Sequence, residues 1–139
     1  MIVVLDTNVL ISTLLSTEGP PAQIIEHWEG GVFDVATSGP LLDELKRALG
    51  YERLRKFIEM TPEEINTLLR GWRSTAIFVS PKMELDIVGD NPDVNRVLEC
   101  AVSAGAKYIL SGDDHLLDLG EYRGIEILPP AGFVGFLNM

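Results

Sequence analysis

Short apolar runs alternate with longer segments of helical periodicity along this chain, a pattern that predicts a sheet covered by helices. Uninterrupted β-branched and apolar runs are typical of strands buried on both faces. Such runs occur at residues 2–5, 76–79 and 108–110. Two similar segments at 33–37 and 125–128 each include one acid and are also predicted to be strands, and a terminal helix is predicted at 129–139. We therefore predict an α/β fold of three layers, α/β/α, with a central parallel sheet of four to five strands in one domain spanning residues 1–139.

Two of the predicted strands end at an acid. Asp6 follows the first strand and Asp113 follows the fourth. The carboxyl ends of parallel strands meet at one rim, where open α/β sheets bind their ligands. Thr7 or Asn8 is predicted to cap the helix that comes next. Taken alone, Asp6 is equally well explained as a turn or capping residue.

Two further acids lie on predicted helices. In the helix at 38–49, Glu44 falls on the flank of the apolar stripe, whereas Asp43 points away from it and should be a surface residue. Asp93, in the first turn of a helix that runs to Gly105, has much the same angular offset. Both helical acids can therefore face one cleft, although an acid in a first turn is also simply favourable to the helix dipole.

Four carboxylates from four elements indicate a metal site. Clustered carboxylates repel one another and lose solvation, so a cation is needed to stabilise them. Oxygen ligands suit Mg²⁺ or Mn²⁺, and His27 and His115 have no partners at ligand spacing. Such sites commonly hydrolyse phosphodiesters with water as the nucleophile. The sequence contains no P-loop, no Gly-x-Gly-x-x-Gly motif and no plausible Ser-His-Asp set.

Composition indicates an ordinary globular protein, with 46% hydrophobic and 23% charged residues. The one cysteine, Cys100, cannot form an internal disulfide, which fits a reducing compartment. No segment has the layout of a signal peptide or the apolar length of a membrane span. We therefore expect a cytoplasmic protein that does not associate with membranes.

The net charge of −10 argues against a nucleic-acid partner, because phosphate binding draws on a basic surface. The distribution of charge weakens that objection. Five of the 11 basic residues fall in one short region, namely Lys46, Arg47, Arg53, Arg55 and Lys56. Arg53, Arg55 and Lys56 are our candidates for holding an RNA backbone; the alternative is a solvated basic surface.

Four motifs together carry a resemblance to a known family. They are the opening MIVVLDTNVLIS, LLDEL at 41–45, NPDVNRVL at 91–98 and YILSGD at 108–113. The chain resembles the PIN domain nucleases over essentially its whole length. It is most similar to the PIN-family toxin components of toxin–antitoxin systems, such as VapC.

The resemblance implies a parallel sheet with helices on both sides, an acidic Mg²⁺ or Mn²⁺ site and ribonuclease activity on single-stranded RNA. It also implies a homodimer and a small antitoxin protein that inhibits the nuclease. Residues matching the family's site are expected to act as catalytic and metal-binding acids (Asp6, Glu44, Asp93, Asp113) or as supporting polar groups (Asn8, Ser111).

The chain departs from the family pattern at one place. Toxin members often have Asp-Pro-Asp-Asp where this chain has Asn-Pro-Asp-Val, so Val94 stands at an often acidic position and Asp90 is a candidate substitute. A PIN domain that binds RNA or protein without cleavage is therefore one alternative. Another is a Mg²⁺-binding receiver domain, which needs an acceptor Asp where this chain has Ser80 and Pro81 after its third strand.

Overall fold

The computed structural model describes residues 1–89 and 91–139. The strands in these ranges are β1 Ile2–Leu5, β2 Asp34–Ser38, β3 Ile77–Val79, β4 Tyr108–Leu110, β5 Glu121–Tyr122 and β6 Ile125–Leu128. The helices are α1 Thr7–Leu15, α2 Gly19–Glu29, α3 Gly39–Leu49, α4 Glu52–Arg55, α5 Pro62–Thr75, α6 Pro92–Ala104, α7 Asp114–Leu119 and α8 Pro130–Leu137.

The strands form one sheet in the order β3-β2-β1-β4-β6-β5. All neighbours pair in parallel except β5, which pairs with β6 in the antiparallel sense. The predicted α/β class and parallel sheet are confirmed, with a sixth strand that the sequence did not predict because β5 has only two residues. The receiver-domain alternative is wrong, since receivers have the strand order 2-1-3-4-5.

Side chains alternate between the two faces of the sheet and bury two apolar layers. In β1, Val3 and Leu5 face one layer while Val4 faces the other. Residues of α1, α2, α5 and α8 pack in the first layer, and those of α6 and α7 pack in the second. Helix α3 contributes to both, through Leu45 and Leu41 respectively. The three-layer architecture is thus confirmed.

Helix boundaries differ from the sequence prediction in several places. The α1 cap is Asp6 itself, whose Oδ1 accepts a 2.8 Å hydrogen bond from Thr7 N, rather than Thr7 or Asn8. The basic pattern over 51–58 also favours a helix, but only the single turn of α4 is helical there. Helix α7 was not predicted, because its six residues are too few to display a helical repeat.

The segment between β3 and α6 has no regular structure in its described part, residues 80–89, and is fastened to α6 by side chains. Asn95 accepts hydrogen bonds from Ile87 N and Val88 N and donates one to Val88 O, each 2.9 Å long. Glu99 accepts a 2.7 Å bond from Leu85 N. Both α6 side chains are buried, so these bonds satisfy polar groups that would otherwise be costly to bury.

No helix of residues 1–89 and 91–139 combines the length and apolar character needed to cross a membrane.

Candidate metal centre

Asp6 lies where β1 ends, directly beside the end of β4. Leu5 pairs with Leu110 across the two strands, and Asp6 N donates to Leu110 O at 2.9 Å. The Asp6 carboxylate is buried and accepts a 2.7 Å hydrogen bond on Oδ2 from the Ser111 hydroxyl. The predicted meeting of the two strand ends is therefore present, and a buried serine fastens them together.

Asp113 joins the same hydrogen-bonded network. Its backbone N donates to Ser111 Oγ at 2.9 Å, and its Oδ1 caps α7 by accepting from the N–H groups of His115 and Leu116. Asn8 completes the link between the strand ends. Its Oδ1 accepts from Gly112 N at 3.1 Å, and its Nδ2 lies 3.5 Å from Asp6 Oδ2.

The two helical acids reach the site from different helices. Glu44 is half-buried on α3, while Asp43 beside it is exposed, as the angular argument predicted. Asp93 lies in the first turn of α6 and is about half exposed. Its Oδ1 is 3.3 Å from the Arg47 guanidinium, an ion pair that links α3 to α6 at the surface.

All four acids line a single cleft of about 190 Å³. The other residues of its lining are Thr7, Asn8, Ile11, Ala48, Tyr51, Arg53, Asn91 and Val94. Ser111 is fully buried and contacts the site only through Asp6 and Asp113. Arg55 and Lys56 line a neighbouring depression instead. Asp90 lies outside the described residues.

Burial and mutual repulsion perturb the carboxyl groups in this cleft. The pKa of Asp6 is raised chiefly by burial and further by the charges of Asp113 and Asp93, against the lowering effect of the Ser111 hydrogen bond. The pKa of Glu44 is raised from 4.5 to about 7 by burial and by the charges of Asp6 and Asp93, while Arg47 lowers it. The carboxylates are therefore close enough to destabilise each other's charged forms.

A hydroxyl lies beside Glu44 without completing a hydrogen bond. Thr7 lowers the Glu44 pKa, yet its buried Oγ1 has no partner at hydrogen-bonding geometry among the described residues. A buried hydroxyl without a partner costs free energy, which a small rotation of the carboxylate or a bound water would recover.

The donors present fit a hard divalent cation by chemistry. They are carboxylate and amide oxygens, the ligands that Mg²⁺ and Mn²⁺ prefer, and a cation would relieve the repulsion that raises the pKa values of Asp6 and Glu44. As the side chains stand, no three Asp, Glu, His or Cys side chains within residues 1–89 and 91–139 are arranged to hold a metal ion together. Arg47 contacts Asp93 Oδ1 and the α7 cap uses Asp113 Oδ1, so a cation would have to compete for these oxygens or bind the other oxygen of each carboxylate.

Sequence reasoning missed three polar lining residues, Thr7 as a wall of the cleft, Tyr51 and Asn91. Asn91 has a place in the sequence argument only within the motif NPDVNRVL, and Tyr51 has none. The signal for Tyr51 was an aromatic residue next to a cluster of basic ones, which is a pattern found in nucleic-acid binding surfaces.

Comparison with known proteins places the chain in a family. Residues 2–115 match the family model described as PIN domain. An uncharacterized protein of Methanocaldococcus jannaschii, MJ1680, is 29% identical over 118 residues, which cover 84% of this chain and 74% of the relative. PIN domains have a nuclease-type fold and generally bind divalent metal ions. The match over residues 2–115 leads to the conclusion that this chain belongs to the PIN domain family.

Proposed function

We propose that residues 1–139 act as one PIN-like domain whose function is the Mg²⁺- or Mn²⁺-dependent hydrolysis of phosphodiester bonds in single-stranded RNA. The observation that carries the proposal is the convergence of Asp6, Glu44, Asp93 and Asp113, from four separate elements, on one cleft. Acids that raise one another's pKa values are poorly suited to a purely structural role, because their repulsion costs folding free energy.

Each side chain has a role that follows from its position. Asp6, Glu44, Asp93 and Asp113 would hold the cation, which when bound would activate water and neutralise charge on the phosphate. Asn8 and Ser111 orient Asp6 and Asp113 through their hydrogen bonds. Arg53 lies in the wall of the same cleft and would contact an RNA phosphate. Arg55 and Lys56 line the neighbouring depression and would contact phosphates further along the RNA.

The experiment is cleavage of labelled single-stranded RNA by the purified chain with Mn²⁺. We expect Glu44→Gln to reduce the rate by at least about 100-fold, as for loss of a metal-binding acid. Asp43→Asn is the matched control, since it neutralises the next residue on the exposed side of α3 and should leave the rate unchanged. Cleavage that resists both chelator and Glu44→Gln would overturn the proposal.

A second candidate is a PIN domain that binds RNA without cutting it. Val94 favours this candidate, because an apolar side chain lines the cleft where toxin members often have an acid, and Arg47 occupies an oxygen of Asp93. Calorimetry separates the two functions. Binding of RNA without any binding of millimolar Mn²⁺ would support the non-catalytic module.

The finer biological role extends the same proposal. We propose a toxin that works in the cytoplasm as a homodimer and is held inactive by a small antitoxin protein. The resemblance to toxin components supports this role, and the lone buried Cys100 fits a reducing compartment. Induced expression should arrest growth for the parent chain but not for Glu44→Gln, and co-expression of a neighbouring small reading frame should relieve the arrest. Arrest by both chains would contradict the toxin role.

A further inference from the structure

An exposed aromatic ring stands in the wall of the acidic cleft. Tyr51 follows the end of α3 and is the N-cap residue of α4, and its side chain lines the cleft together with the four acids. It is 47% exposed. A tyrosine that packs in a core loses most of its exposed surface, so the Tyr51 ring retains area that a ligand in the cleft can cover.

A cation accompanies this ring. The Arg53 guanidinium lies 5.5 Å from the centroid of the Tyr51 ring, within the range of a cation–π interaction. Arg53 is also the one basic residue among the described residues that line the cleft. An aromatic face and a guanidinium beside a metal-binding cleft offer partners for the two parts of a nucleotide, its base and its phosphate.

Building on the proposed function, we propose that Tyr51 stacks on the base next to the scissile phosphate while Arg53 contacts the adjacent phosphate. In a duplex both faces of a base are covered by neighbouring bases, so stacking on a protein side chain needs an unpaired nucleotide. Tyr51 would then select single-stranded RNA, and it would do so without preference for one base, since every base has a π face.

The chain supplies a matched comparison in Phe57. This aromatic residue lies six positions further along the same basic segment and is 75% exposed, but it is not among the residues that line the cleft. If any exposed aromatic in the segment served equally well, Tyr51 and Phe57 would contribute alike. The proposal requires the ring inside the cleft to contribute more.

Binding is measured by fluorescence anisotropy on the full chain carrying Glu44→Gln, which slows cleavage. The probe is a short labelled single-stranded RNA, with the matching duplex as competitor. Tyr51→Ala should weaken binding by roughly 5- to 150-fold, the range for loss of one base–aromatic stack, and Tyr51→Phe should bind like the parent. Equal losses for Tyr51→Ala and Phe57→Ala, or no loss for Tyr51→Ala, would overturn the proposal.

An abasic scan tests the contact itself. One base at a time is removed from the RNA, and binding is compared for the parent and for Tyr51→Ala. At one position, removing the base should weaken RNA binding by the parent as much as the Tyr51→Ala substitution does. Removing the same base should not weaken binding by the Tyr51→Ala variant any further. Losses that multiply at every position would show that Tyr51 contacts no base.

The outcomes also distinguish the two proposals. If the wild-type chain with Mn²⁺ cleaves RNA and Tyr51→Ala behaves like it, the stacking proposal fails and the proposed function stands. If the wild-type chain neither binds nor cleaves single-stranded RNA, both proposals fail.

Discussion

The Ser111 hydroxyl donates a 2.7 Å hydrogen bond to Asp6 Oδ2 across 105 positions of sequence. Its oxygen accepts in turn from Asp113 N at 2.9 Å. One buried hydroxyl therefore fixes the carboxylate at the end of β1 relative to the acid that follows β4. The spacing of two candidate metal ligands depends on a side chain that does not itself line the cleft.

Ser111→Ala should weaken Mn²⁺ binding by roughly 10- to 100-fold, the usual effect of losing a partner that orients a metal ligand. The Ser111 bond lowers the pKa of Asp6, so its loss also makes the charged form of Asp6 harder to reach. Calorimetric titration with Mn²⁺ measures the effect. Ser74→Ala, which removes an exposed hydroxyl bonded to its own helix, is the control and should bind as the parent does. Unchanged affinity in Ser111→Ala would contradict this account.

Glu44 should make Mn²⁺ affinity depend on pH. Its pKa in the metal-free protein is about 7, so a proton must leave before the carboxylate can bind a cation. Affinity should rise by up to about tenfold per pH unit below that pKa and level off above it. Glu44→Gln should bind weakly with a flatter profile, whereas Asp43→Asn should follow the parent. A parent profile as flat as that of Glu44→Gln would contradict the assignment.

The same group should affect stability in the absence of metal. The pKa of Glu44 is about 7 in the folded protein against an ordinary value of 4.5. Between pH 4.5 and about 7, the folded state therefore keeps a proton on Glu44 that the unfolded state has lost. The free energy of unfolding contributed by Glu44 therefore falls as pH rises from 4.5 through about 7, the reverse of a salt-bridged acid. Denaturant titrations with chelator should show this fall in the parent and a smaller one in Glu44→Gln. An equal fall in both chains would assign it to other groups.

Arg47 should compete with the cation. Its guanidinium lies 3.3 Å from Asp93 Oδ1 and would repel a divalent ion. Arg47→Gln should therefore tighten Mn²⁺ binding a few-fold, because an exposed ion pair is worth roughly 0.2–1 kcal/mol. The measurement belongs above the pKa of Glu44, because Arg47 also lowers that pKa. Arg70→Gln, on α5 outside the cleft, controls for net charge. Weaker binding in Arg47→Gln would mean that Arg47 helps to form the metal site.

Val94 permits a test by gain of function. It is 4% exposed and packs on the apolar layer under α6, yet it lines the cleft. Val94→Asp should destabilise the metal-free chain by about 2–4 kcal/mol, because it buries a carboxylate beside others, and should tighten Mn²⁺ binding. Val94→Ala loses packing without adding a ligand and is the control. Mn²⁺ should therefore raise the thermal unfolding midpoint more for Val94→Asp than for the unmutated chain or for Val94→Ala. An equal rise of the midpoint in all three chains would contradict this prediction.

Rules that act locally predicted most of the fold and nominated the four acids that line the cleft. Short segments rich in apolar and β-branched residues located five of the strands, because strands in a sheet covered on both faces are largely apolar. The strand-end rule located Asp6 and Asp113, and helical geometry separated Glu44 from the exposed Asp43. Their convergence on one cleft agrees with what these rules predicted.

Features that depend on the path of the chain were not predictable. The Arg47–Asp93 pair joins residues 46 positions apart, and no local pattern encodes such a meeting. Tyr51 follows α3, which ends at Leu49, so its position in the cleft depends on where that helix ends. Asn95 and Glu99 lie on the buried face of α6, where helical periodicity predicts apolar side chains. They are polar because they bind backbone N–H groups of the irregular segment before α6, and the pattern within the helix gives no sign of that segment.

Asp6 presents two acceptors to two fixed donors, the Thr7 N–H on Oδ1 and the Ser111 hydroxyl on Oδ2. An asparagine there would turn one acceptor into a donor, so either the Thr7 N–H or the Ser111 hydroxyl would lose its acceptor. The substitution that looks like a pure loss of charge would thus also rewire the junction of β1 and β4. Glu44 lies outside that junction, so neutralising its carboxylate changes the charge of the cleft and leaves both hydrogen bonds of Asp6 in place.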